Sequence, residues 1–184
     1  MMLRATTFAV SALAVSLLTA CSSMSTAPTY SQANLPVAVQ VPAGNKVALE
    51  TVGVGDITYQ CNAKKDMAGQ FEWVFVGPDA KLNDRSGKHL GKYYGPPATW
   101  ESMDGSKLTG TQVAVAPSAA GNIPFQLVKA NPASGNGAMM GVTYVQRVNT
   151  ISGVAPASAC AASNVGTKQT VRYQADYIFY KADK

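Results

Sequence analysis

Alternation of apolar and polar residues near the C-terminal end constrains the fold of this chain more than any other feature. Between Arg172 and Phe179 every second residue is Tyr, Ala or Phe, and most residues between them are polar. A second run places Phe71, Trp73 and Phe75 on one face. Because successive side chains of a strand point to opposite faces, both runs predict half-buried β-strands.

The rest of the chain continues this pattern in short pieces. Strand-like segments follow at 47–52, 57–61, 90–94, 99–103, 107–109, 112–116, 125–130 and 142–149. No apolar stripe keeps a helical period for more than a turn or two, and only residues 156–163 favour a short helical turn. We therefore predict an all-β domain: a single antiparallel sandwich or a partly closed barrel of about 8–10 short strands.

One turn is predicted in detail. Asp104-Gly105 lies between two short alternating segments. This dipeptide favours a two-residue hairpin of type I′, which needs positive φ at both central positions.

The N-terminal end carries the features of an export signal. Arg4 precedes an apolar run from 8 to 18 that is shorter than the roughly 20 residues needed to span a bilayer. The segment Leu18-Thr19-Ala20-Cys21 then resembles a bacterial lipobox. The resemblance implies cleavage after residue 20 and acylation of Cys21, for example with palmitate. The alternative is that Cys21 belongs to a signal peptide cut elsewhere.

Three regions follow from this assignment: a lipoprotein signal peptide at 1–20, a flexible tether at 21–43 and a β-rich domain at 44–184. The tether is rich in Ser, Thr, Pro and Ala, a composition that buries too little apolar surface to offset its ordering entropy. Residues 35–41 have a second interpretation, as a docked edge strand, because Pro36 and Pro42 exclude them from a sheet interior. The absence of Asp after Cys21 resembles lipoproteins sorted to the outer membrane.

The remaining cysteines form one pair. Subtracting Cys21 from the three cysteines leaves Cys61 and Cys160 in an oxidising compartment. A disulfide between them is the expected outcome. The alternatives are two buried free thiols or a metal pair, and the metal pair has His89 as its only histidine.

The charge pattern argues against one class of partner. The chain has 15 Lys and Arg against 10 Asp and Glu, and Lys64-Lys65 is the only adjacent basic pair. Nucleic-acid binders usually cluster their basic residues on one face, so no nucleic acid is expected as a partner.

Several motifs in order resemble a known family, the secreted bacterial and fungal proteins of domain-of-unknown-function family 3455. The resemblance implies export and a single domain, and it brings no established activity with it. The motifs are Tyr59-Gln60-Cys61, Trp73-Val74-Phe75, Pro78-Asp79-Ala80-Lys81-Leu82, Tyr94-Gly95-Pro96, Thr99-Trp100-Glu101, Asp104-Gly105-Ser106, Ile123-Pro124-Phe125, Val145-Gln146-Arg147-Val148-Asn149-Thr150 and Ala175-Asp176-Tyr177-Ile178-Phe179-Tyr180.

Two catalytic arrangements are possible by residue type. Ser86 or Ser106 with His89 and Asp84 would supply a Ser-His-Asp relay. Two carboxylates, such as Glu101 and Asp104 with Glu72 or Asp176 nearby, would supply the acids of a glycosidase. Turn residues and solvated hairpin carboxylates explain both sets without chemistry. No catalytic residue, metal site or cofactor is therefore assigned.

The candidate ligand-binding residues are an aromatic and polar set. Flat rings stack on the apolar face of a sugar while carboxylates and amides bind its hydroxyls. Arg147 is added because a guanidinium between apolar neighbours needs a partner if it is buried, with Glu72, Glu101 or Asp176 expected. The same rings would equally suit core packing. The set comprises Tyr94, Trp100, Glu101, Asp104 and Arg147.

The expected function is that of a lipid-anchored protein of the bacterial cell envelope, held at the outer membrane with its domain in the periplasm. Its non-catalytic domain would bind a glycan, peptidoglycan or other small polar ligand, or an envelope protein. The alternatives are a structural interaction module without a ligand pocket and a carboxylate-dependent hydrolase. A pocket lined by Tyr94, Trp100 and Arg147 would favour the first, and a Trp100 sealed in the core would remove the sugar platform.

Overall fold

A computed structural model describes residues 30–183, which form one antiparallel sheet with two short 3-10 turns at Val37–Val39 and Ala162–Asn164. No helix in this range is long and apolar enough to cross a membrane. The strands are β1 (Asn45–Ala63), β2 (Phe71–Asn83), β3 (His89–Tyr94), β4 (Thr99–Ser102), β5 (Lys107–Ala116), β6 (Phe125–Ala130), β7 (Val142–Ser152) and β8 (Lys168–Ala182).

The sheet closes into a ring. Each strand pairs antiparallel with the next along the chain, and β8 returns to pair with β1 over most of its length. The predicted all-β antiparallel class is confirmed. The eight strands form one closed sheet rather than two stacked sheets, and β1, β2 and β8 are longer than the short strands we predicted. Every strand is paired on both sides, although β2 meets β3 only from Asp79 to Asn83.

The predicted break between residues 52 and 57 is wrong, because both predicted segments belong to β1. Gly53 and Gly55 lie between them and face the inside of the ring. A Cβ at Gly53 would lie 2.6 Å from a ring carbon of Tyr177, and one at Gly55 would lie 2.7 Å from the Cβ of Ala80. These glycines therefore make room for the core instead of turning the chain.

Large aromatic side chains fill the inside of the ring. The rings of Tyr93 and Trp100 stack with their centroids 4.7 Å apart, and Tyr177 packs against both. Trp100 is 1% exposed and Tyr177 is fully buried, and this burial raises the pKa of Tyr177 well above that of a free tyrosine. Such a ring is a packed core and not a ligand cavity.

A second apolar cluster lies on the outer wall and is covered by the N-terminal segment. Val39 and Val41 are buried against β5 to β8 in this cluster. Gln146, also buried, accepts a hydrogen bond from the Tyr30 hydroxyl at 2.6 Å and donates to the carbonyl of Val39. The side-chain oxygen of Gln32 accepts hydrogen bonds from the amide of Val41 and from the side-chain amide of Gln146.

These contacts bear on the predicted tether. The described part of that region, 30–43, packs on the ring from Tyr30 onward, and its ordered turn at Val37–Val39 is a 3-10 turn and not the edge strand we considered. Burial of Val39 and Val41 supplies the apolar surface that the composition alone did not reveal. Residues 1–29, with Cys21 and the predicted signal peptide, lie outside the described residues.

The predicted disulfide is confirmed. Cys61, near the end of β1, is bonded to Cys160 in the connection between β7 and β8, 99 residues later. Backbone hydrogen bonds join the same regions, because Cys61 bonds through its amide to Thr167 and through its carbonyl to Gly166. The bridge therefore fixes the last long connection to the first strand.

The predicted hairpin is present with a different turn. Asp104 and Gly105 connect β4 to β5, and the amide of Ser102 donates to the carbonyl of Ser106. Only Gly105 has positive φ, at 84°. The type I′ prediction is wrong because the loop contains more than two residues, so only one left-handed position is needed.

Candidate functional site

Two of the predicted ligand-binding residues meet on the outer face of the ring. The hydroxyl of Tyr94 donates to Oε2 of Glu101 at 2.7 Å. Nζ of Lys92 lies 3.4 Å from Oε1 of Glu101 and 5.1 Å from the centre of the Tyr94 ring. The Tyr94 hydroxyl and the nearby lysine lower the pKa of the Glu101 carboxyl, and the same hydrogen bond raises the pKa of Tyr94.

Strand pairing explains this meeting. Tyr94 is opposite Thr99 across β3 and β4, while Lys92 is opposite Glu101 and Glu101 is opposite Lys107 of β5. Directly opposed residues point to the same face of a sheet. The neighbouring pair, Tyr93 and Trp100, therefore points to the inside.

A polar cleft of about 240 Å³ begins at Tyr94. Its wall combines hydroxyl groups, one ammonium group and the Tyr94 side chain with apolar surface from Leu108 and Pro132. Its lining residues are Tyr94, Thr99, Lys107, Leu108, Thr109, Pro132 and Ser134.

A larger apolar cleft of about 510 Å³ adjoins it, and Pro132 lines both. Ala130, Ala133, Met140 and Val142 supply most of its apolar wall. We call the two clefts together the Pro132 groove. Its larger part has the size of typical small-molecule sites, about 300–1,000 Å³.

The loop of residues 131–141 forms much of the groove, and Asp104 holds this loop in place. Oδ1 of Asp104 accepts from the amide and hydroxyl of Ser106, while Oδ2 accepts from the amide of Ala138 at 2.7 Å. The buried hydroxyl of Ser106 accepts in turn from the amide of Met139 at 3.1 Å. Gly137 approaches the carboxylate so closely that a Cβ there would collide with it. Asp104 is therefore a positioning residue.

The family described as "Protein of unknown function (DUF3455)" matches residues 42–181. The chain belongs to this family. No curated protein and no solved structure matches the chain. The predicted family is thus confirmed over nearly the whole sheet, and the DUF3455 match begins just after the packed turn that precedes β1.

Asp104→Asn should loosen the groove loop of the DUF3455 domain. An amide nitrogen at the position of Oδ2 would face the Ala138 amide and remove its acceptor. We expect faster hydrogen exchange at Ala138 and Met139, with little change in the β8 amides. Unchanged exchange at both positions would contradict the anchoring role.

We expect the hydrogen bond between the Asp104 carboxylate and the Ala138 amide to depend on pH. Hydrogen bonds from Ser106 and Ala138 lower the pKa of Asp104 to about 2. A lowered pKa means that folding favours the carboxylate, so its contribution is complete above about pH 4 and is lost as the pH falls toward about 2. The protection factor of the Ala138 amide, taken against its intrinsic exchange rate at each pH, should therefore fall over this interval in the wild type, whereas Asp104→Asn should show no such step.

Two predicted ligand residues lie away from the groove. Trp100 is inside the ring, and at 1% exposure its ring offers no face to a ligand, so the predicted Trp100 platform is excluded. Arg147 lies on the inner face near the opposite end, where Nε and Nη2 donate to the carbonyl of Pro124 at 3.2 and 3.0 Å. A backbone carbonyl thus replaces the carboxylate partner that we expected for Arg147.

The considered Ser-His-Asp relay is not assembled. The hydroxyl of Ser86 donates to Asp84 at 2.6 Å, while Nδ1 of His89 lies 3.3 Å from the side-chain oxygen of Asn83. Ser106 is buried and bonded to Asp104. Within residues 30–183, no group of three or more His, Cys, Asp or Glu is placed to hold a metal ion.

The sequence did not indicate most of the groove. Lys107, Thr109 and Ser134 are far from Tyr94 along the chain and reach it only through pairing of β3, β4 and β5 and through the loop. Backbone bonds between Lys107 and Ser134 fix that approach. The available signal was the stretch from Asn131 to Gly141, which is rich in Gly, Pro and Asn and is too long for a tight turn.

Proposed function

We propose that this DUF3455 protein is a lipid-anchored component of the bacterial cell envelope whose non-catalytic domain binds a small saccharide in the polar cleft of the Pro132 groove. The main support for this proposal is one cleft on the outer face, which is lined by Tyr94, Lys107, Thr109 and Ser134. The anchor is Cys21. The proposed location is the outer membrane, with the domain in the periplasm.

The chemistry of the cleft supports a ligand rich in hydroxyl groups. An aromatic ring offers its apolar face to a sugar, and the surrounding hydroxyl and ammonium groups supply hydrogen bonds to its oxygens. Within residues 30–183, Lys107 forms no ion pair, whereas Lys92 is engaged by Glu101. Lys107 is therefore the lysine of the polar cleft that is available to a ligand.

The two carboxylates nearest the cleft favour binding over hydrolysis. A glycosidase needs one carboxylic acid that stays protonated to donate to the leaving oxygen. Hydrogen bonds lower the pKa of both Glu101 and Asp104, and each is occupied by neighbouring donors. These groups suit ligand orientation and loop support.

The anchor is compatible with the packed N-terminal segment. Cys21 lies nine positions ahead of Tyr30, where packing on the ring begins. A fully extended connection of this length spans about 30 Å at most. In this proposal the domain works within that distance of the membrane surface.

The binding proposal is tested with the full chain carrying Cys21→Ser, purified without detergent and titrated with envelope glycans and peptidoglycan fragments. We expect Tyr94→Ala to weaken binding about tenfold or more, since stacking and hydroxyl contacts are both lost. Tyr94→Phe keeps the ring and should lose less. Phe75→Ala removes an aromatic side chain that is 54% exposed and lies elsewhere on the sheet, in β2, so it serves as a matched control.

Absence of binding to every saccharide would reject the proposed function. Equal loss of affinity in Tyr94→Ala and Phe75→Ala would move the site away from the groove.

A further inference from the structure

We infer that the ligand of the Pro132 groove is a single-chain amphiphile with an anionic head, its alkyl chain lying in the apolar cleft beyond Pro132. This inference rests on the proposed function, because the head occupies the polar cleft beside Tyr94. It adds the chemical class of the ligand.

Several polar side chains of the apolar cleft already have hydrogen-bond partners within the protein. Thr143 donates to Oδ1 of Asn45 at 2.6 Å, and the side-chain amide of Asn131 donates to Thr109 at 2.9 Å. These side chains are satisfied within the protein, so they gain little from a polar ligand. The neighbouring wall of Ala130, Met140 and Val142 favours an apolar occupant instead.

The apolar cleft and the polar cleft lie next to each other. Pro132 lines both clefts, so the two clefts adjoin at this residue. Met140 is 41% exposed at the apolar end. A flexible thioether adapts to irregular alkyl chains. The shape thus suits a ligand with a polar end at Tyr94 and an apolar end at Met140.

The charged groups that line the two clefts are positive. Lys107 lines the polar cleft and Lys129 lines the apolar cleft, and no carboxylate lines either. Neither lysine forms an ion pair within the described part of the chain. Glu101, the nearest acid across the strands, is already paired with Lys92. An anionic head is therefore favoured over a neutral or cationic one.

Alkyl glucuronides test for an alkyl-chain site and an anionic-head site together. The matching alkyl glucosides and free glucuronate serve for comparison. The Cys21→Ser chain is titrated with octyl, decyl and dodecyl members below their micelle-forming concentrations. Burial of the chain predicts an affinity gain of about twofold to fourfold per methylene, because each buried methylene contributes up to about 0.8 kcal/mol. The glucuronides should bind about tenfold more tightly than the glucosides.

Two substitutions locate the site. Met140→Glu should remove the dependence on chain length, while Met67→Glu, at a 52% exposed methionine in the turn between β1 and β2, should keep it. Lys107→Gln, in the polar cleft, should bring the glucuronides close to the affinity of the glucosides.

The outcomes separate this inference from the proposed function. Saccharide binding that needs Tyr94 but ignores alkyl length would overturn the amphiphile and leave the saccharide site standing. Equal affinities of glucuronide and glucoside would overturn the anionic head. If Met67→Glu and Met140→Glu had the same effect on the dependence of affinity on alkyl length, the apolar cleft would not be the site of the alkyl chain. Binding of no probe of any kind would reject both proposals.

Discussion

Removal of the Cys61–Cys160 disulfide should lower the free energy of unfolding by about 2 to 5 kcal/mol. The bridge joins residues 99 positions apart, and a loop of this length gives a chain-entropy estimate of about 4.7 kcal/mol. The measurement is urea unfolding of the double variant Cys61→Ser/Cys160→Ser, which leaves no free thiol from the pair. We also expect a larger m-value, because the unfolded chain becomes less compact.

Cys21→Ser is the matched cysteine control. In our proposal it should move the protein from the membrane to the soluble fraction and leave the urea midpoint unchanged. The disulfide variant should do the reverse. An unchanged midpoint in the disulfide variant would contradict a stabilising bridge, and membrane retention of Cys21→Ser would contradict the anchor.

Trp100→Ala should cost about 3 to 5 kcal/mol, the typical range when a large aromatic side chain is removed from a core. Trp100 is buried between Tyr93 and Tyr177, whose rings would be left facing a cavity. Thermal unfolding followed by circular dichroism measures the loss. Fluorescence is less suitable because only one of the two tryptophans would remain.

Two comparisons sharpen the Trp100 prediction. Trp100→Phe should lose less than half as much, because the buried indole Nε1 has no hydrogen-bond partner in the described chain and its removal leaves none unpaired. Tyr94→Ala, on the outer face, should cost about 1 kcal/mol or less. Similar losses for Trp100→Ala and Tyr94→Ala would contradict the assignment of Trp100 to the inside.

The candidate site shows the limit of reasoning from strand patterns. Alternation predicts that Tyr93 and Tyr94 point to opposite faces, and the same holds for Trp100 and Glu101. It does not state which face is inside. Pairing of Tyr93 with Trp100 next to Tyr177 decides that question, and it leaves Tyr94 with Glu101 outside.

Asp104 illustrates a second limit. Its Asp-Gly sequence predicts a turn, which is present, and a carboxylate near Tyr94 predicts a ligand contact. The carboxylate instead holds Ala138, more than thirty residues away. Such a contact depends on where the loop from 131 to 141 returns, and no local pattern carries that information.

The sequence alone determined the all-β class, and it predicted the pairing of Cys61 with Cys160 as one of three possible outcomes for these thiols. Side-chain alternation is imposed by backbone geometry, and two cysteines in an oxidising compartment admit one intramolecular pair. Only the tertiary structure decided that the sheet closes into a ring and that Trp100 lies inside it. It also decided that the groove forms beside Pro132. These features depend on strand register and on contacts between distant residues, which the chain fixes only when the whole core is packed.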